Sequence, residues 1–184
     1  MRAPDRLATG RIVFLTGFMA SGKSHFGHHL ARLAGTSFHD LDEQIEREQG
    51  RSISALFRDD GEDAFRLLER ETLERLVEGL RQAPAEPFAV LSTGGGTPCT
   101  PGVMEWMNER GVTVWLNPPF EVLVERLRAG SAHRPLVQGL EGEALVEAVR
   151  SRLALRAPYY RMAHHEITEA DPDAAVWLNR LSNN

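Results

Sequence analysis

Eight residues near the start of the chain, Gly17-Phe18-Met19-Ala20-Ser21-Gly22-Lys23-Ser24, have the types and spacing of a phosphate cradle. In G-x-x-x-x-G-K-[ST] the glycines let backbone N–H groups turn inward around a β-phosphate, and the helix that follows points its positive end at the same place. The lysine supplies a point charge to the β- and γ-phosphate oxygens, and the serine hydroxyl a ligand for Mg2+. Ala20, Ser21, Gly22, Lys23 and Ser24 are therefore expected to hold the phosphates of a nucleotide. Lys23 is the only lysine among 21 basic residues. Bias toward arginine accounts for the other twenty, yet the lysine stands where a compact ammonium is needed and a guanidinium fork would not fit.

Asp40 and Asp42 stand two apart where a short strand ends, so in extended geometry both carboxylates face one side, toward the phosphates. One could hold Mg2+ through a water and the other accept a proton from an attacking hydroxyl. The plainer reading is that either aspartate caps the next helix. Glu62, Arg66 and Glu69 share a helix face at i, i+4 and i+7, which alone reads as a solvated ion-pair ladder. Gly94-Gly95-Gly96 lets a ligand approach bare backbone N–H groups. Arg134, held by Pro135 in a loose loop, can swing over transferring phosphates. Arg156 stands where a helix is expected to end, and by itself reads as a charge complementing the helix dipole.

The elements that must position these residues alternate. Ile12-Val13-Phe14-Leu15 reads as a buried strand, and Phe26, Leu30 and Leu33 recur at helical spacing. Residues 37–39 form a short strand, 43–49 a helix closed by Gly50, and 52–57 a helical turn with Phe57 inward. A long amphipathic helix over 62–80 is broken by the prolines at 84 and 87, and strand 88–92 runs into the three glycines. Helix 101–109, strand 112–116 and helix 119–128 precede a loop over 129–142, expected to be a mobile lid. Helix 143–155, an edge strand at 166–168 and a last helix capped by Asp171-Pro172 complete the chain. Nearly continuous apolar strands between helices predict a parallel sheet covered on both faces, an α/β three-layer sandwich. Ligands in such sheets bind beyond the carboxyl ends of the strands, which gathers the phosphate loop, the aspartate pair and the glycines into one crevice.

With 184 residues, 42% hydrophobic and 26% charged, the chain reads as one globular domain spanning 1–184. A net charge of −5 argues against a nucleic-acid surface, and no apolar run reaches membrane-span length. The first ten residues lack a signal-peptide pattern, and the single Cys99 excludes an internal disulfide, so a cytoplasmic location is expected. A monomer is the working expectation for the assembly. Cys99 reads as a packing residue, and the pairs His28-His29 and His164-His165 as surface residues, since helix neighbours do not face each other.

Together Asp40-x-Asp42, Gly61-Glu62-x-x-Phe65-Arg66, Gly94-Gly95-Gly96, Arg134-Pro135-Leu136 and Arg156-x-Pro158-x-Tyr160, in that order after a phosphate loop, resemble shikimate kinases from about Arg11 to Ala163. The resemblance implies a P-loop kinase of the nucleoside-monophosphate-kinase branch with a five-stranded parallel sheet. It implies that shikimate, a small molecule, is phosphorylated by ATP with Mg2+. By the same resemblance Asp42 binds the shikimate hydroxyls and is the base at the 3-hydroxyl, and Asp40 reaches Mg2+ through water. Arg66 and Arg156 clamp the carboxylate with the amides of Gly95 and Gly96, and Arg134 is the lid arginine touching ATP and the transferring phosphate. Phe57, Phe65, Pro135 and Leu136 wall the ring. A planar carboxylate suits paired arginines, and orientation with charge neutralisation is nearly all that phosphoryl transfer needs. Arg134→Ala is accordingly expected to lower kcat far more than it weakens shikimate binding.

The chain departs from the family at His25, where threonine is usual, leaving its backbone N–H for the ATP phosphates. Arg126 and Arg128 both suit adenine stacking. The competing readings are a kinase for another small acceptor, such as gluconate or a nucleoside monophosphate, and a non-catalytic nucleotide-binding module.

Overall fold

A computed structural model describes residues 11–82, 88–129 and 139–182. Among them five strands form one parallel sheet: β1 (Arg11–Thr16), β2 (Phe38–Asp40), β3 (Phe88–Ser92), β4 (Gly111–Leu116) and β5 (His165–Ile167), in the order β2-β3-β1-β4-β5. The helices are α1 (Lys23–Ala34), α2 (Leu41–Gln49), α3 (Ile53–Asp60), α4 (Glu62–Gln82), α5 (Val103–Asn108), α6 (Phe120–Ala129), α7 (Gly142–Tyr160) and α8 (Ala174–Ser182), with a 3-10 turn at Thr97–Cys99.

Alternating side chains of β1 explain the layers. Val13 and Leu15 join α1 and α8 in one buried cluster, while Ile12 and Phe14 join α2, α4 and α5 in another on the opposite face. A third cluster, around Phe18, Trp115, Leu127 and Tyr160, packs α6 and α7 against the end of β4. Register then levels the strand ends. Leu15 pairs with Ser92 and Ser92 with Asp40, so the chain leaves β1, β3 and β2 side by side, at the glycine loop, the triple glycine and the aspartates. This is the carboxyl-end crevice expected of such a sheet.

Four expectations change in detail. Leu41 already begins α2, so Asp42 lies in a helical first turn rather than in extended chain. Asp40 precedes it as the cap, accepting from the N–H of Asp42 at 3.0 Å and of Glu43 at 3.5 Å. Helix α7 runs to Tyr160 instead of stopping at 155, with Pro158 inside it. Proline forfeits one hydrogen bond there, and the complete burial of Tyr160 and near-complete burial of Ala157 hold the last turn in place. Asp173, not Asp171, caps α8, its Oδ1 accepting from the N–H of Ala175 at 2.8 Å. The helix expected over 101–109 is shortened to α5, Val103–Asn108, with the 3-10 turn at Thr97–Cys99 standing before it. The expected lid, including Arg134, Pro135 and Leu136, falls largely on 130–138, outside the described residues.

Candidate active site

The phosphate loop leaves β1 with Gly17 and enters α1 at Lys23. Within the turn, the N–H of Ser21 donates to the carbonyl of Phe18 at 3.2 Å, and the Ser21 hydroxyl is buried. The first-turn N–H groups of α1, among them those of Ser24 and His25, stand where a helix leaves donors for an outside anion. Lys23 Nζ donates to the carbonyls of Gly17 (2.9 Å) and Phe18 (3.1 Å), which holds the ammonium over the loop. Ala20 has a positive φ of 62° and walls two neighbouring cavities at once.

The first cavity, of about 460 Å³, is floored by Ala20–His25 and bounded by Arg126 and Pro172. Arg126 donates to the carbonyls of Ala20 (3.3 Å), Ser21 (3.2 Å) and Ala170 (2.6 Å), so it ties α6 to the phosphate loop. Arg128 is exposed and outside this lining. Arg126 and Pro172 both border the cavity beyond the phosphate loop, where a guanidinium can stack on a planar base.

The second cavity, of about 390 Å³, opens beside the first. Each of the three glycines carries its own charged neighbour. A Cβ on Gly94 would lie 2.8 Å from Asp42 Oδ1 and 2.9 Å from Glu69 Oε1, one on Gly95 3.4 Å from an Arg156 nitrogen, and one on Gly96 2.8 Å from Arg66 Cζ. Only bare backbone admits these side chains so closely. Gly95 also packs against Gly17 and Met19, joining the acceptor side to the phosphate loop. Arg66 pairs with Glu69 at 2.7 Å and Glu62 at 3.3 Å and lies over the rings of Phe57 (5.4 Å) and Phe65 (5.3 Å). Burial opposes its charge, and the Glu69 and Glu62 carboxylates more than offset that, raising its pKa. Arg156 lies 5.7 Å from the Phe18 ring.

Ser24 Oγ donates to Asp40 Oδ2 at 2.9 Å, while Asp40 Oδ1 caps α2. Capping and a functional role, alternatives in the sequence, are thus divided between two oxygens of one carboxylate. A hydroxyl and a carboxylate, both hard oxygens beside the phosphate loop, suit Mg2+, which keeps several waters and binds phosphates. Among the described residues no group of three His, Cys, Asp or Glu side chains could hold a metal by itself. Burial first, then the like charges of Asp40 and Glu69, push the Asp42 carboxyl up from the ordinary 3.8 to about 7, with Lys23 pulling the other way.

Glu69 is the residue that sequence reasoning misplaced. Its side chain is 2% exposed rather than part of a solvated ladder, because Thr97 reaches it from the turn after the glycines and donates at 2.6 Å. The i, i+3 spacing to Arg66 was the available signal. Cys99 is a free thiol packed at the edge of the third cluster, its pKa raised by burial, as suits a packing residue.

A parallel sheet whose central strand delivers a glycine loop and lysine into such a double cavity defines a P-loop kinase. Residues 19–182 match the family model for shikimate kinase. A shikimate kinase from Bacteroides thetaiotaomicron is 40% identical over 165 residues, 90% of each chain. A crystal structure of shikimate kinase from that organism superposes with a TM-score of 0.82 at 36% identity, covering 93% of this chain and 96% of that one. One from Acinetobacter baumannii, in complex with shikimate, gives 0.76 at 34% identity over 92% and 89%. The chain belongs to the shikimate kinase family, and is thus an ATP-using phosphotransferase acting on a small molecule.

Proposed function

We propose that this protein transfers the γ-phosphoryl group of ATP to the 3-hydroxyl of shikimate, forming shikimate 3-phosphate and ADP on the route to chorismate and the aromatic amino acids. The observation that carries this reading is the second cavity. Two guanidinium groups stand against Gly95 and Gly96, and two carboxylates, those of Asp42 and Glu69, stand against Gly94, one glycine run apart from a phosphate loop. A ring acid with hydroxyls on its far side matches that polarity. Arg66 and Arg156 receive the carboxylate, with the amides of Gly95 and Gly96 beside them. Asp42 accepts the proton of the 3-hydroxyl, and Phe57 and Phe65 wall the ring.

Ala20–His25 and Lys23 Nζ hold the triphosphate, and Arg126, rather than Arg128, faces the adenine with Pro172 opposite. Ser24 and, through water, Asp40 would hold Mg2+, which would supply positive charge against the phosphates. Arg134 is assigned from sequence alone as the arginine that meets the transferring phosphate. Held in place this way, the two reactants need only orientation, charge neutralisation and one proton acceptor. The working unit is a monomer in the cytoplasm.

A coupled assay of ADP release tests this. Release should require shikimate and should be slower with gluconate or a nucleoside monophosphate in its place. ADP release of equal rate with no acceptor, or faster with gluconate, would refute it.

Two further results are expected. With Asp42 as the base, kcat/KM for shikimate should rise about tenfold per pH unit at low pH and level off above about 7, where the carboxylate is ionised. A profile flat from pH 5 to 8 would remove Asp42 from that role. Arg126→Ala should raise KM for ATP about five- to thirty-fold, the 1–2 kcal/mol of a partly desolvated cation–π stack, with KM for shikimate little changed. Arg128→Ala measured beside it should leave KM for ATP within twofold.

A further inference from the structure

Tyr160 is the largest fully buried side chain among the described residues, and nothing in the chemistry above employs it. It sits one helical turn beyond Arg156 on α7, so the two share a face. Its ring packs with Trp115 at 5.7 Å, and its hydroxyl donates to the carbonyl of Gly95. The other carbonyls of the glycine run are held within the following turn: Gly94 accepts from the N–H of Thr97 at 3.2 Å and Gly96 from that of Cys99 at 2.9 Å. Gly95 alone of the three is held from another element.

We infer that Tyr160 is a positioning residue for the acceptor acid, pinning the Gly95 carbonyl so that the Gly96 N–H and the Arg156 guanidinium meet the carboxylate as one preset unit. The inference rests on the assignment of the acceptor site proposed above. Its physical basis is the planarity of the peptide. The carbonyl of Gly95 and the N–H of Gly96 belong to one rigid trans unit and point in opposite directions. A hydroxyl that holds the carbonyl on the core side therefore directs the N–H away from the core, to the side on which Gly94–Gly96 line the cavity. Glycines have no side chain to hold this orientation themselves, so the peptide would otherwise rotate freely between ligands. Arg156 contributes to the same unit twice, lying against Gly95 and close enough to the Tyr160 hydroxyl to interact with it. Burial keeps that phenol protonated, and hence a donor, well above its usual range.

Tyr160→Phe in the full chain is the test, since it removes the donor and keeps the ring against Trp115. KM for shikimate should rise about three- to tenfold, the range of one neutral hydrogen bond, while kcat and KM for ATP stay within twofold. The shikimate analogue in which CH2OH replaces the carboxylate should show the same KM in both proteins. An unchanged shikimate KM, an equal loss for the analogue, or a joint fall of kcat and both affinities would each overturn the inference.

If Tyr160→Phe does not fold, the second measurement keeps the native hydroxyl. In a Tyr159→Phe background Tyr160 is the only tyrosine. With 3-fluorotyrosine there, its 19F resonance should move on saturation with shikimate and not with the analogue. A resonance that ignores shikimate overturns the inference equally. Absence of shikimate turnover in the unaltered protein would instead sink the acceptor assignment itself.

Discussion

Asp42→Asn is expected to lower kcat by roughly 10²–10⁴, the usual contribution of a positioned general base, while making the folded protein more stable near neutral pH. Both effects come from one cause. Burial and the carboxylates of Asp40 and Glu69 disfavour a charge on Asp42, which raises its pKa to about 7. That is the property a base needs to take a proton at neutral pH, and it destabilises the fold that ionises it. The sign follows from linkage. In the unfolded chain the carboxyl ionises near 3.8, whereas the folded chain holds the proton to about 7. Stability is therefore fully present below 3.8, is lost as pH rises through that interval, and levels off above about 7. Asparagine keeps the shape without the charge. Its advantage should grow between pH 4 and 7 toward a limit on the order of 4 kcal/mol, about three pK units of differential protonation. Thermal unfolding of both proteins from pH 4 to 8 measures the difference directly, since every other group titrates in both. Equal melting temperatures across that range would show that Asp42 ionises normally, and an unchanged kcat would assign the base elsewhere.

Arg66→Ala is expected to raise KM for shikimate by about 1.5–3 kcal/mol, roughly 10- to 150-fold, as a charged hydrogen bond to the carboxylate is lost. It should also cost about 3–5 kcal/mol of stability, the penalty for stranding a buried partner. The partner is Glu69, 2% exposed, which would still accept from the Thr97 hydroxyl. Two Phe rings would lose the guanidinium that lies over them as well. The two consequences are separable. Adding Glu69→Gln to Arg66→Ala neutralises the stranded charge and should restore most of the melting temperature while KM stays high. If stability and KM recover together, Arg66 acts only through the architecture of α4 and not on the acceptor.

The sequence by itself determined the order of strands and helices, the phosphate loop and the family. Those signals are local: apolar runs of four to six residues, glycines at fixed offsets, and motifs whose residues are neighbours along the chain. Gly17–Ser24, the strands at 88–92 and 112–116 and the long helix from Glu62 were legible for that reason. What only the tertiary structure decided is how residues far apart share an environment. Whether Glu69 was solvated depended on Thr97, 28 positions away, and whether Arg126 or Arg128 turned to the cavity over the phosphate loop depended on carbonyls more than 40 positions distant. The extent of α7 past Pro158 was set by a pocket for Tyr160 between Trp115 and Gly95. Burial and charge proximity depend on distances in space, which spacing along a chain records only within a helix turn or a strand pair. The raised pKa of Asp42, on which the proposed chemistry turns, therefore arises only when Asp40, Glu69 and the glycine run close around it.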